Sequence, residues 1–236
     1  MTQTTGVRPR GPRMGRDARR AQVLAVAQEL FAGEGFHHVS MDDIAVRAAV
    51  SKPVLYRHFP SKLDLYLEVV EERGTELLRA VDQALAPVVA GPVRRGEGRQ
   101  VVHALVRAYF EFVEAAGESF SLLFESDVTH DAAVRARVEQ AAAQAAQGIA
   151  RVLADFTGLP DQHTSLLAAT LVGMAQTGAT SRFRADAPLD VDEAVDLVAR
   201  LAWHGVAGLV RTDAGGHPPP EATPPAADPS RSGRRP

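Results

Sequence analysis

Lys52 and Lys62 are the only two lysines in a chain that otherwise carries 24 arginines, and they fall within eleven residues of each other. A coding bias toward arginine accounts for the scarcity of lysine but not for that proximity. Charge is also divided along the chain. Residues 1–65 hold ten Lys and Arg against six Asp and Glu, a net +4, while the remainder holds 16 against 23, a net −7. The overall charge of −3 hides an N-terminal part suited to phosphate and a larger part that is not. Asn is absent, so no Asn can make the bidentate contact to adenine.

Signals for other chemistry are missing. The absence of cysteine excludes a disulfide framework, a zinc–thiolate site and a thiol nucleophile. There is no G-x-S-x-G, Walker A, G-x-G-x-x-G or H-E-x-x-H segment. Of the eight histidines, His103 and His130 could meet a carboxylate at a metal, but no ligand spacing supports it, and His37 and His38 read as surface residues. The reading is therefore of a protein that is not an enzyme and needs no cofactor. The apolar run 166–175 is too short for a bilayer of roughly 30 Å, and no secretory apolar stretch follows the basic N-terminus. A cytoplasmic location is expected.

The elements that would position the basic residues are helices throughout. Val23, Ala27, Leu30 and Phe31 form one apolar stripe that stops at Gly33-Glu34-Gly35, where glycine supplies a left-handed C-cap. Ser40 to Asp43 forms a capping-box start for a two-turn helix carrying Ile44, Ala45 and Ala48. After the turn Ala48-Ala49-Val50, Ser51 caps a second short helix that tolerates Pro53 in its first turn and buries Leu55 and Phe59. Pro60 ends it, and Ser61 with Asp64 opens a long helix to about Leu85, with Pro87, Gly91 and Pro92 marking a loop. Further helices are expected over 99–116, around 120–125, and over 131–156, 161–183 and 190–211. The fold class is all-α with about nine helices. Residues 1–15 read as a disordered basic arm and 213–236 as a disordered Pro-rich tail, with the helices of 16–65 and 66–212 between them.

The segment 41–59 has the layout of a helix-turn-helix, whose second helix enters the major groove. The wider run 31–66 resembles the N-terminal signature of the TetR family. The matching elements are Phe31 with Gly35-Phe36, the Ser40 start, Asp43-Ile44-Ala45, Val50-Ser51-Lys52, Leu55-Tyr56, His58-Phe59 and Lys62. The resemblance implies that Tyr56, His58 and Lys62 contact phosphates, with Ser40 and Ser51 doing so through hydroxyls and helix N-termini. Lys52, Val54 and Arg57 would sit near the groove. Arg57 is the choice for base readout, because a guanidinium can be bidentate to guanine, with a phosphate contact as its alternative. Ala49 stands where the family usually has Gly, and Pro53-Val54 where it often has Gly-Thr, so the operator is not transferable from other members. The arm arginines (Arg8, Arg10, Arg13, Arg16, Arg19, Arg20) could reach the minor groove or form a plain basic tail.

The resemblance further implies that 16–65 form a helix-turn-helix DNA-binding domain and 66–212 a regulatory ligand-binding and dimerisation domain, giving a homodimer on a double-stranded DNA operator, paired through its last two helices, and a small-molecule effector that releases it. Leu167, Leu171 and Met174 form one stripe, and Val191, Val195, Val198, Ala202, Val206 and Leu209 another. Both fit a subunit interface or an intramolecular core equally well. Candidates to line an effector pocket are Phe110, Phe112, Phe120, Leu123, Phe124, Met174, Gln176 and Trp203, with core packing the commoner fate of such side chains. The acidic residues Glu111, Glu114, Glu118, Glu125 and Asp127 read as a solvated face. A DNA-compacting protein is disfavoured by the large regulatory part. Nothing in the sequence separates repression from activation, and repression is the family's default.

Overall fold

A computed structural model describes residues 15–89, 97–125, 128 and 131–207. The basic arm, Gly15 apart, and the Pro-rich tail lie outside these residues, as do Asp127, His130 and the expected last turn at 208–211. Among the described residues there are nine α-helices, one short 3₁₀ turn and no strand. The helices are α1 (Arg16–Glu34), α2 (Met41–Arg47), α3 (Lys52–His58), α4 (Lys62–Val89), α5 (Gly98–Ala116), α6 (Ser121–Phe124), α7 (Ala132–Thr157), α8 (Asp161–Phe183) and α9 (Val191–Ala207). The 3₁₀ turn, Gly117–Phe120, leads into α6.

Local chemistry explains the first four helices. In α1 the stripe Val23, Ala27, Leu30 and Phe31 is buried, and the Gly35 N–H closes the last turn on the Phe31 carbonyl at 3.1 Å. Gly35 has φ 80° and ψ 155°, so its backbone is extended rather than the expected left-handed helical cap. That region is open essentially to glycine alone. Helix α2 begins with a complete capping box. The Ser40 hydroxyl oxygen accepts from the Asp43 N–H at 3.1 Å, and the Asp43 carboxylate accepts from the Ser40 N–H at 2.9 Å. Bonds from the Ser40 hydroxyl and then its N–H hold the Asp43 carboxyl below its ordinary value. A seven-residue helix needs such help, since isolated helices this short do not hold.

Ser51 stands at the N-cap of α3, but its hydroxyl makes no capping bond, contrary to expectation. Pro53 removes one of the N–H groups that a capping side chain would accept from, and the Ser51 carbonyl takes those of Val54 and Leu55 at 2.9 and 3.0 Å. Ser61 and Asp64 do form the expected cap of α4. That helix continues past Leu85 and through Pro87 to Val89. Pro87 is exposed in the last turn, where water can take the place of the missing backbone bond.

The body is a bundle in which α7 lies against α4 and α8, while α5 packs on α4, α8 and α9. Helix α1 rests on α4 and on the 3₁₀ turn. At the joint, Phe31, Phe36 and Tyr66 form an aromatic cluster with centroids 4.9–5.8 Å apart. The apolar stripe of α9 turns inward, with Val195 and Ala202 buried and Val198 half-buried, as does Leu171 on α8. These two stripes therefore build the intramolecular core. Val206's side chain and Leu209 lie outside the described residues.

Ala49, in the turn between α2 and α3, has φ 52°. It is the only non-glycine with positive φ among the described residues, at the position where the related family usually carries glycine. An L-residue there is strained by about 1–2 kcal/mol, so Ala49→Gly should raise the urea midpoint by an amount worth about 1 kcal/mol. An unchanged or lower midpoint would show that the turn is not strained.

Candidate nucleic-acid interface

Leu55 and Phe59 bury the inner face of α3 at 0% and 1% exposure, locking it against α2. With about 100° between successive residues, Arg57 falls opposite that face. It is exposed and makes no ion pair among the described residues. Tyr56 is 47% exposed beside it, with Ser51, Lys52 and Pro53 exposed and Val54 and His58 half-buried. Ser40, at the start of α2, is also exposed. Ser40, Ser51, Lys52, Val54, Tyr56 and Arg57 thus gather on or beside the outward surface of α2 and α3, whereas His58 lines a groove with Arg20 and Leu24 of α1 and Glu68 of α4.

Two basic residues have partners that sequence reasoning missed. The Lys52 ammonium donates to the Asp42 carboxylate at 2.7 Å, with both side chains more than half exposed. That bond, and the charge of Asp42, raise the Lys52 pKa above its ordinary value, so it stays charged. Lys62, expected at a phosphate, instead donates to the backbone carbonyls of Phe36 (2.8 Å) and Val39 (3.0 Å), and lies 4.3 Å from the centre of the Phe36 ring. The physical reason is the loop between α1 and α2, which turns two carbonyls toward the start of α4, where a buried acceptor needs a donor. Val46, 81% exposed on α2, is a further outward residue that the sequence did not single out.

The expected effector-pocket residues separate into two groups. A cavity of about 150 Å³ lies among α4, α5, α6, α7 and α8, and Leu123, Phe124 and Gln176 line it. Phe110, Phe112, Phe120, Met174 and Trp203 do not. Phe110 instead packs against Gly178 of α8. Phe112 meets Phe124 edge-on at 6.0 Å, and Phe120 meets Phe183 at 5.1 Å. Met174 and Trp203 are half-buried on α8 and α9. Tyr109 lines the cavity and was not singled out, because in the sequence it is one more aromatic in an apolar stripe. Glu111, Glu114, Glu118 and Glu125 are exposed, and Glu114 and Glu125 pair with Arg182 and Arg184. His103 pairs with Asp196 at 2.9 Å. No group of three metal-ligating side chains occurs among the described residues, and no described helix is long and apolar enough to cross a membrane.

A short helix with a free outward face, braced by a second and mounted on a helical body, defines a helix-turn-helix transcriptional regulator. Comparison with known proteins carries this to a family. Residues 23–69 match the family described as bacterial regulatory proteins, tetR family, and residues 99–205 match a tetracyclin repressor-like C-terminal domain, together more than half of the chain. The HTH-type transcriptional activator FasR of Mycolicibacterium smegmatis is 36% identical over 203 residues, covering 86% of this chain and 90% of the relative. A TetR-like transcriptional regulator from Rhodococcus sp. RHA1 is similar in structure, with a TM-score of 0.62 at 29% identity, covering 83% of this chain and 100% of that one. A TetR-family transcriptional regulator from Streptomyces coelicolor also gives 0.62, at 25% identity, covering 83% and 82%. The chain belongs to the TetR family of DNA-binding transcriptional regulators.

Arg57 and Tyr56 should behave differently when changed. Tyr56→Phe is expected to weaken binding to every DNA sequence by about 1 kcal/mol, whereas Arg57→Ala should alter sequence preference across a panel of operator variants. An equal loss on all variants by Arg57→Ala would assign Arg57 to a phosphate rather than to a base. Lys62→Met should lower stability by about 1–2 kcal/mol through the two orphaned carbonyls, read by thermal melting of the free protein. A variant with wild-type melting would return Lys62 to the DNA surface alone.

Proposed function

We propose that the protein is a homodimeric repressor that binds a palindromic operator through α3 and releases it when a small molecule enters the cavity among α4 to α8. The observation carrying this reading is the position of Arg57, exposed, without an ion-pair partner among the described residues and opposite the buried face of a short recognition helix. In this reading Arg57 reads bases, Lys52 and Val54 sit at the groove, and Tyr56, His58, Ser40 and Ser51 hold phosphates. The Ser51 hydroxyl makes no capping bond, which leaves it able to do so. Lys62 has one remaining N–H for a phosphate.

Dimerisation is supported by what the core leaves uncovered. Residues 164–181 of α8 carry no charged side chain, although Leu166 is 69% exposed and Ala169, Thr170, Gly173 and Thr177 share its outward face. On α9, Leu197 and Leu201 are 52% and 65% exposed. A helix without charge on either face is expected to be covered on both. A second copy supplies an identical apolar face with small residues for close approach, and a two-fold pair of α3 helices suits a palindrome.

Two connections would carry ligand binding to DNA. Leu77 on the cavity wall belongs to α4, which starts at the recognition unit. Leu123 and Phe124 belong to α6, and the preceding turn receives a hydrogen bond from the Gln28 amide of α1 to Ser119 at 3.2 Å. A second reading, activation, is favoured by the name of the mycolicibacterial relative, which aligns over most of the chain. Position of the operator relative to the promoter would decide between the two.

Purified protein mixed with sheared DNA from its source genome at physiological salt should retain a few intergenic fragments sharing a palindrome. The double variant Leu197→Asp/Leu201→Asp should run as a monomer and lose these fragments. Uniform recovery of fragments by the wild type would overturn the operator reading, and a variant that stays dimeric would overturn the interface.

A further inference from the structure

Tyr109 is 1% exposed, and its hydroxyl oxygen is buried without a hydrogen-bond partner among the described residues. Folded proteins seldom leave such a group unpaired, and a phenylalanine would fill the same space without the loss. The ring lies on the wall of the cavity among α4 to α8, beside Phe124, with ring centroids 6.3 Å apart. Among the described residues the rest of that wall is apolar (Leu77, Leu123 and Val172 among others) except for the Gln176 amide, and none of them that lines it is charged. Burial pushes the Tyr109 phenol above its ordinary value, so it remains a neutral donor.

The size and chemistry of this space limit what can occupy it. A cavity of about 150 Å³ has room for several waters at roughly 30 Å³ each, but each needs two to four polar partners and the described residues of the wall offer two polar side chains. An apolar cavity of this volume accommodates a single benzene-sized ring. A carboxylate or ammonium held against this wall would meet no counter-charge from the described residues, which is unfavourable. We propose that the cavity binds an uncharged molecule about the size of one aromatic ring, carrying a carbonyl or hydroxyl oxygen that accepts a hydrogen bond from Tyr109. Gln176 serves a second polar edge where the ligand has one. This names the ligand class for the effector-responsive reading above and rests on it.

The test is calorimetric titration of the full-length protein with three probes (acetophenone, toluene and benzoate), in the wild type and in Tyr109→Phe. Acetophenone should bind wild type at least tenfold more tightly than toluene or benzoate. Tyr109→Phe should melt no lower than wild type and should abolish the gap between acetophenone and toluene while leaving toluene unchanged. Equal affinity for acetophenone and toluene in the wild type, tightest binding of benzoate, or a gap that survives in Tyr109→Phe would each overturn the proposal. Operator release, followed by fluorescence anisotropy, separates this from the broader reading. Acetophenone binding without release would remove the effector role and uphold the ligand class. Absence of binding by every probe, with operator binding intact, would overturn the ligand class and leave the regulator standing.

Discussion

The first turn of α4 fastens the DNA-reading unit to the rest of the molecule. Tyr66, 1% exposed, is wedged against Phe31 and Phe36, while the Lys62 ammonium ties the carbonyls of Phe36 and Val39 to the same turn. Full burial of a large apolar side chain contributes about 1.5–3 kcal/mol, and an aromatic pair adds about 0.5–1.5 kcal/mol. Arg20 reinforces the joint by lying 5.0 Å from the centre of the Phe59 ring and pairing with Glu68. Surface ion pairs contribute about 0–1 kcal/mol, so the aromatic cluster, not the charges, holds the domains together.

Because α4 is one unbroken helix of 28 residues, that anchor has consequences far from it. At 1.5 Å per residue it spans about 42 Å. Its start is fixed to the recognition unit, and its middle supplies Leu77 to the cavity among α4 to α8. Helix α1 provides a second path, resting on both α4 and the 3₁₀ turn before α6. A change of packing at Leu77, Leu123 and Phe124 therefore bears on the two helices that carry α2 and α3. Two such units joined through α8 and α9 would convert a small shift at each cavity into a change in the spacing of the two recognition helices.

The DNA-reading unit was legible in the sequence because its helices are short and their ends are chemical. Ser40 with Asp43, Ser61 with Asp64, Pro60 and the Leu55–Phe59 pair mark boundaries and inner faces within a few residues of each other. Ser51 misled as a cap because the donors it would need are removed by Pro53 or taken by its own carbonyl. The bonds of Lys62 were hidden because the carbonyls it meets lie 23 and 26 residues away and converge only when the loop folds. In the body, periodicity gave the apolar faces of α8 and α9 but not the neighbour each would meet. The stripe through Val195 and Ala202 turned out to be core, and the open face carries Leu197 and Leu201 instead. Aromatics around the cavity were equally ambiguous, since Phe110 and Phe124 look alike in sequence and differ only in which side of the bundle they reach.

In the proposed dimer, two copies of α3 read DNA from one face, held at a fixed separation by the bodies they are joined to. Hydroxyl-radical footprinting of the protein on an operator recovered from its own genome tests this most directly. The account predicts two protected patches on one face of the duplex, related by two-fold symmetry and separated by about 34–36 Å or a multiple of it. A single patch, or even protection along the whole fragment, would contradict it.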